Sequence, residues 1–478
     1  TAVTSGKKSF TWVQSLKSTE NMPEKLLPVA QLLEETLNIF NDQPLDLEFA
    51  ITKGETLDVW LLQVRPLILN LKQEDFNLHL ERLNSIEKRL KREFSKNPFL
   101  MGKTTIFGVM PDWNPAEIIG LKPKPLALSL YKELITDSIW AYQRNNYGYR
   151  NLRSFPLLIN FYGLPYIDVR VSFNSFIPED LDDKIAEKLV DYYIYQLSQK
   201  PWLHDKVEFD IIFSCYTFDL NDRLEILKKF GFTKLEINKI SESLLNLTNK
   251  IINPKDGLWK IDENKIDTLK KRRNIIEKSQ LDKQFKIYWL IEDCKRYGTL
   301  PFAGLARACF IAIQILNSLE KCGIFNSKSK ADFLRSIPTI ATEMSIDYKQ
   351  LNKEEFLKKY GHLRPGTYEI ANMRYDENPD LYFDWDDFKK SNVEESKFDI
   401  ESIDLKNLEV IIQKNGLETT AKDLLQFLES AIQLREYSKF EFSKNLSDSL
   451  KYIRELGTKL GIDKEDISFS NINVFLNL

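Results

Sequence analysis

The chain has 478 residues, 43% hydrophobic and 29% charged, which provides for a packed core and excludes disorder throughout. Lysine and arginine (67) nearly balance aspartate and glutamate (70), for a formal net charge of -3, so the basic excess of a general nucleic-acid binder is missing. The length suggests about three domains, and only 17 glycines among many Leu, Lys and Glu predict a mostly helical fold.

Residues 1–10 lack the apolar core of a signal peptide, and the opening on Thr1 reads as mid-domain sequence, so more chain is expected ahead of it. Residues 23–40 are patterned as an amphipathic helix. Val29, Leu33, Leu37 and Phe40 form one stripe, and Pro23 suits a first turn. Two β-like segments follow, 45–51 and 58–67, joined through 52–57 with Gly54, and they predict an antiparallel hairpin. Alternation puts Leu47, Phe49 and Ile51 on one face and Asp46, Glu48 and Ala50 on the other. In the second strand Gln63 and Arg65 share a face.

From about Asn70 the pattern turns helical. Residues 78–94 carry Lys88, Arg89, Lys91 and Arg92 interleaved with Glu81, Glu87 and Glu93. That mixture reads as a solvated helix face rather than a phosphate patch, and the same holds for 270–273. Residues 107–178 are less regular and rich in Pro, Asn, Tyr and Trp, the texture of a pocket or interface. Helices are predicted at 181–199, 220–230, 235–252, 281–297, 302–321, 330–340 and 353–360, and a second irregular segment spans 361–387. The last helices fall near 421–442 and 447–456, with Gly457 where a helix stop belongs. The longest apolar run, 301–316, is interrupted by Arg307 and too short to span a bilayer, so no membrane partner is expected. Cys215, Cys294, Cys309 and Cys322 form no C-x-x-C pair. With only His79, His204 and His362 to join them, they read as reduced, buried thiols of a cytoplasmic protein rather than a zinc site. Asp205 and Glu208 are expected as partners for His204.

The hairpin carries the most specific chemistry. Mg2+ prefers hard oxygen ligands and commonly bridges nucleotide phosphates. A carboxylate (Glu48) on one strand and an amide oxygen (Gln63) on its neighbour could hold such an ion. Arg65, facing the same way as Gln63, could neutralise phosphate with a bidentate fork. Spacing alone leaves open a hairpin whose polar face simply meets water.

The stretches Asp46-Leu-Glu48-Phe-Ala-Ile and Leu-Leu-Gln63-Val-Arg65-Pro-Leu resemble the closing hairpin of the nucleotide-binding domain in the phosphoenolpyruvate synthase and pyruvate phosphate dikinase family. Ala2-Val3-Thr4-Ser5-Gly6 resembles a family segment ahead of that hairpin, and the 15 residues from Glu48 to Gln63 are slightly more than usual. The resemblance implies the end of an ATP-grasp domain. Glu48 and Gln63 would bind Mg2+ there, and these two with Arg65 would bind ATP. The earlier lobe and the family's mobile phosphohistidine domain have no match in this sequence. The fold class implied is α+β. A C-terminal piece of an ATP-grasp domain (1–70, helix plus hairpin) precedes a mainly helical acceptor-binding domain (71–400) and a C-terminal helical subdomain (401–478) leading to that phosphohistidine domain.

Residues 71–478 hold the place of the acceptor domain in family members such as rifampin phosphotransferase. Tyr360-Gly-His362-Leu-Arg364-Pro-Gly-Thr-Tyr368-Glu-Ile, with Arg374-Tyr-Asp-Glu377, resembles a segment of those enzymes. Met110-Pro-Asp112-Trp-Asn114-Pro-Ala-Glu117-Ile-Ile-Gly and Tyr166-Ile-Asp168-Val-Arg170 resemble a branch from capsule and surface-glycan gene clusters. That branch includes the L-glutamine kinase of phosphoramidate capsule synthesis, which phosphorylates an amide nitrogen. An amino-acid acceptor such as L-glutamine needs a cation for its carboxylate and an acid for its ammonium. Arg170 and Arg364 are candidates for the first, and Asp112, Asp168 and Glu117 for the second. Asn114 could orient an amide, and Tyr368 completes the acceptor set. His362 is the catalytic candidate, as a base for a weakly nucleophilic amide, with a hydrogen-bonded structural histidine as the alternative. Two other readings remain. One is a non-catalytic helical binding scaffold. The other is a synthase-like enzyme with another acceptor such as pyruvate, which would need a barrel whose strand–helix alternation is not seen here.

Overall fold

A computed structural model describes residues 22–41, 45–52, 58–66, 76–385, 398 and 403–477. The 2–6 segment and Gly54 of the hairpin connection lie outside the described residues. The protein is mixed helix and sheet but mostly helical, 63% helix against 6% strand, with two small antiparallel sheets. It divides into two compact units, residues 1–89 and 90–478.

In the first unit a short 3-10 turn (Glu24–Leu26) leads into α1 (Leu27–Ile39), with a proline in its first turn. Helix α1 packs against β2 of the hairpin formed by β1 (Leu45–Ile51) and β2 (Val59–Pro66). Asp46 pairs with Arg65 and Glu48 with Gln63. A register shift after Glu48 then sets Phe49 opposite Leu61 and leaves Leu62 unpaired, a β-bulge. The charged helix α2 covers Phe76–Glu93.

The second unit begins irregularly. Strand β3 (Phe107–Gly108), α3 (Pro115–Ile118), α4 (Pro125–Tyr131), α5 (Ile139–Asn146), β4 (Leu158–Phe161), β5 (Leu164–Asp168) and α6 (Val169–Asn174) are all short. The order of the small sheet is β3-β5-β4. Longer helices follow: α7 (Asp183–Gln199), then short α8 (Val207–Asp210) and α9 (Leu220–Leu224), then α10 (Lys234–Ile252) and α11 (Leu258–Lys278). Helices α12 (Lys283–Asp293) and α13 (Leu300–Lys321) were expected to be separate. A π-helical turn, Cys294–Thr299, joins them into one 39-residue helix. By length and composition that helix could cross a membrane, which corrects the shorter apolar run expected, and 78% of its apolar window is buried inside the fold. The predicted helix at 330–340 is two, α14 (Ser327–Ser336) and α15 (Ile340–Gln350), parted at Pro338, which has no N–H to continue a helix. Helices α16 (Lys353–Tyr360) and α17 (Leu405–Lys414) precede α18 (Ala421–Lys459), and α19 (Lys464–Ile467) and α20 (Ile472–Leu476) close the chain.

Helix α18 organises the core. Leu424, Phe427 and Leu428 enter one apolar cluster with α7, α10 and α13. Leu446, Leu450 and Ile453 enter a second with α4, α5 and β5. Each such side chain, fully withdrawn from water, stabilises the fold by about 1.5–3 kcal/mol. Gly457 does not stop this helix. It lies inside α18 because a methyl there would collide with the Ile467 side chain, and the left-handed residue after the helix is Gly461 (φ 76°). Three of the cysteines are buried as expected, and Cys322 is exposed.

Candidate functional site

Because Glu48 and Gln63 face each other across an antiparallel ladder, and Arg65 lies two residues beyond Gln63, the three side chains share one face of the hairpin. Arg65 Nη2 donates to Glu48 Oε1 (3.1 Å) and lies 3.2 Å from Asp46 Oδ2. All three charged side chains are about half exposed, 53% for Arg65, 49% for Asp46 and 56% for Glu48, so a phosphate chain can reach them from solvent. A carboxylate and an opposed amide oxygen are hard donors of the kind Mg2+ takes alongside phosphate and water, so the donor set fits that ion. Among the described residues no group of three His, Cys, Asp or Glu side chains gathers into an all-protein metal cage.

The acceptor candidates fall into three groups in the second unit. The first surrounds a turn in which Asp112, Trp113 and Asn114 adopt consecutive left-handed conformations (φ 49°, 53° and 27°). Such conformations cost non-glycine residues about 1–3 kcal/mol each and persist only where the surroundings over-determine them. Here four hydrogen bonds do so. Asp112 accepts from Arg144 Nη2 (2.9 Å) and Ser172 Oγ (2.9 Å). The Trp113 carbonyl accepts from the Tyr131 hydroxyl (2.6 Å). Asn114 caps α3 by accepting the Glu117 N–H (3.2 Å), while the Glu117 side chain is exposed. Tyr368 stands beside this turn, its ring edge-on to Tyr131 (5.4 Å) and its buried hydroxyl without a partner.

The turn is tied to a buried ionic network. Arg307 grips Glu208 with two parallel hydrogen bonds, 2.7 and 2.8 Å. Glu208, expected beside His204, is therefore committed elsewhere. Arg144 Nη2 lies 4.0 Å from Glu208, and both guanidinium groups sit over the Phe176 ring, at 4.2 Å for Arg144 and 4.6 Å for Arg307. Burial raises the pKa of Asp112 against the pull of Arg144. It lowers that of Arg144, and the like charge of Arg307 adds to the drop. On Arg307 burial works downward, but Glu208 and its neighbours outweigh it and leave the group firmly charged. Perturbed buried groups on a strained turn mark a functional-site candidate. Arg144, Glu208 and Arg307 were not among the expected site residues. The one sequence signal for them was Arg307 itself, a lone charge inside an apolar helical run.

The second group is Asp168 and Arg170. Asp168 caps α6, accepting from Thr105 Oγ1 (2.6 Å) and the Val171 N–H (3.2 Å), and burial raises its pKa. Arg170 donates to the carbonyls of Ser95 (2.8 Å) and Glu93 (2.9 Å), where a helix end leaves acceptors unpaired. Both are buried. They connect to the first group through α6, which carries Ser172 to Asp112.

The third group is His362 and Arg364, strapped to α18. His362 Nε2 lies 3.1 Å from Ser443 Oγ, its ring is edge-on to Phe440 (4.9 Å), and its carbonyl accepts from Ser447 Oγ (2.6 Å). Arg364 donates to Ser447 Oγ (3.1 Å), and burial lowers its pKa to about 10. Arg374 bridges Asp376 and Asp448 (2.8 Å each), and Arg454 pairs with Glu377, completing the strap. His362 is 6% exposed, and these contacts hold its segment against α18.

Burial, reinforced by Lys444, Arg374 and Arg273, drives the His362 pKa from 6.5 to about 2. The folded state therefore refuses a proton that the unfolded chain accepts. The stability this gives is complete above pH 6.5 and drains as pH falls toward 2. Above about pH 5, where ordinary carboxylates stay ionised, the slope from this group reaches about 1.4 kcal/mol per pH unit. In urea titrations, His362→Gln should flatten the stability profile by close to that amount near about pH 5, with the difference fading toward about pH 7. An unchanged slope would show that His362 titrates normally in the fold.

No protein-family model matches the chain, and no curated protein matches it.

Proposed function

We propose that this chain is the nucleotide-hairpin and acceptor part of a cytoplasmic, ATP-dependent phosphotransferase of the phosphoenolpyruvate synthase type. The net reaction is ATP, L-glutamine and water giving AMP, phosphate and glutamine phosphorylated on its amide nitrogen. The observation that carries this reading is the shared face of Glu48, Gln63 and Arg65, with Glu48 and Gln63 directly opposed. Glu48 and Gln63 supply oxygens for Mg2+, which when bound would neutralise and align the phosphates. Arg65, once released from Asp46 and Glu48, supplies a fork for phosphate oxygens. Phosphoryl transfer needs chiefly this alignment and charge compensation. The β-phosphoryl would pass to a histidine on a mobile domain of the same polypeptide and then to the acceptor held by the helical unit. In that unit the Asp112–Asn114 turn and its arginines form the acceptor centre, while His362, Arg364 and Arg170 position backbone.

A non-catalytic scaffold is favoured by one observation, that Arg65 is satisfied within the hairpin by Asp46 and Glu48. Phosphorus NMR on the complete polypeptide with Mg2+ and ATP separates the readings. L-glutamine should yield AMP, phosphate and an N-phosphoryl resonance. Turnover with pyruvate but not L-glutamine would remove the amide-kinase reading, and no ATP consumption with any acceptor would leave the scaffold.

A further inference from the structure

We propose that Gln143 reads the primary carboxamide of the acceptor and so sets the preference for an amide over an acid. This rests on the amide-acceptor reading above. Gln143 is 1% exposed, and neither its Nε2 nor its Oε1 has a hydrogen-bond partner. A buried group left unmet costs about 1–3 kcal/mol, and here an entire amide, with two donors and an acceptor oxygen, is unmet. Three residues earlier on the same face of α5, the fully buried Trp140 has an indole N–H that also lacks an acceptor. The next residue, Arg144, is the one that holds Asp112 at the foot of the left-handed turn. The unmet amide is thus next in sequence to the arginine that anchors the left-handed turn, in the unit that carries the acceptor candidates.

The chemistry that would satisfy this amide is specific. A primary amide meets a primary amide through two antiparallel N–H···O bonds. A carboxylate accepts from Nε2 but turns a lone pair toward Oε1. Rotating the Gln143 amide does not rescue the acid, which has no donor. A site built to bond a substrate N–H rejects the analogue lacking it far more strongly than an apolar pocket rejects a change of shape. Because Gln143 is enclosed, its ligand must replace a closed state, and association should be slower than diffusion allows.

Calorimetric titration of the 478-residue chain with L-glutamine and with L-glutamate tests this. L-glutamate should bind at least about 100-fold more weakly. Gln143→Met, unbranched and close in volume, should erase the preference without lowering the melting temperature, since an apolar group replaces an unpartnered amide. Failure to bind L-glutamine, or equal affinity for the two ligands in the parent chain, overturns the proposal whatever the variant does. Retained discrimination in Gln143→Met also overturns it, and would assign the amide to a buried water. The two readings fail separately. ATP turnover of L-glutamine with unaltered discrimination in Gln143→Met sinks only the Gln143 assignment. Amide-selective binding without any ATP consumption sinks only the phosphotransferase.

Discussion

Replacing Arg307 with alanine should destabilise the protein by about 3–5 kcal/mol. Its side chain is 1% exposed and makes two short bonds to Glu208, itself 10% exposed. Removing the guanidinium strands a carboxylate in the core, and Arg144, 4.0 Å away and already engaged with Asp112, is too distant to replace a bidentate partner. The loss reflects an orphaned charge more than the worth of the pair, because two ions desolvated together nearly cancel their own attraction. Arg307→Met combined with Glu208→Leu should therefore recover most of the stability. A double-mutant cycle by urea denaturation measures the coupling. A single-variant loss below about 1 kcal/mol would place this pair with surface ion pairs, in conflict with its burial.

Glu48→Ala and Arg65→Ala should have the opposite signature. Both side chains are more than half exposed, so their mutual ion pair contributes at most about 1 kcal/mol to folding. On the proposed chemistry each supplies charge compensation to the transferring phosphoryl group, and losing one such contact typically slows transfer by about 100-fold or more. Both variants should keep their unfolding midpoints and lose AMP formation in the complete polypeptide. Arg65→Lys keeps the charge but not the planar fork, and should fall between parent and Arg65→Ala. A fall in unfolding midpoint that tracks the loss of activity would mean the hairpin had been broken rather than disarmed.

The two sets of residues differ in how far the sequence disclosed them. Glu48, Gln63 and Arg65 were legible because strand alternation has a fixed period of two, so facing follows from counting. The bulge at Leu62 falls between Gln63 and the turn and leaves the Asp46–Glu48 register with Arg65 and Gln63 intact. Arg307 was visible as a charge in an apolar run, but its partner lies 99 positions away and no local pattern points to it. The left-handed turn at 112–114 was hidden because none of its residues is a glycine, and its strain is supported by Tyr131, Arg144 and Ser172 from three other elements. Residues 107–178 looked irregular because their helices are too short to show a period. Helix α11 was missed because its buried residues, Trp259, Ile266, Leu269 and Ile276, are sparse among charges. Helices α12 and α13 looked separate because the intervening π-turn shifts the phase of the apolar stripe. At Gly457 tertiary packing against Ile467 overrode the local meaning of a glycine near a helix end.

Transfer of label from ATP carrying radioactive phosphorus at the β position tests the role of the hairpin most directly. The complete polypeptide is incubated with Mg2+ and this nucleotide, without acceptor, and protein-bound label is counted. The parent protein should become labelled, and Glu48→Ala should not, although it unfolds at the same urea concentration. Equal labelling of the two, or none in either, would contradict a nucleotide-holding role for the face shared by Glu48, Gln63 and Arg65.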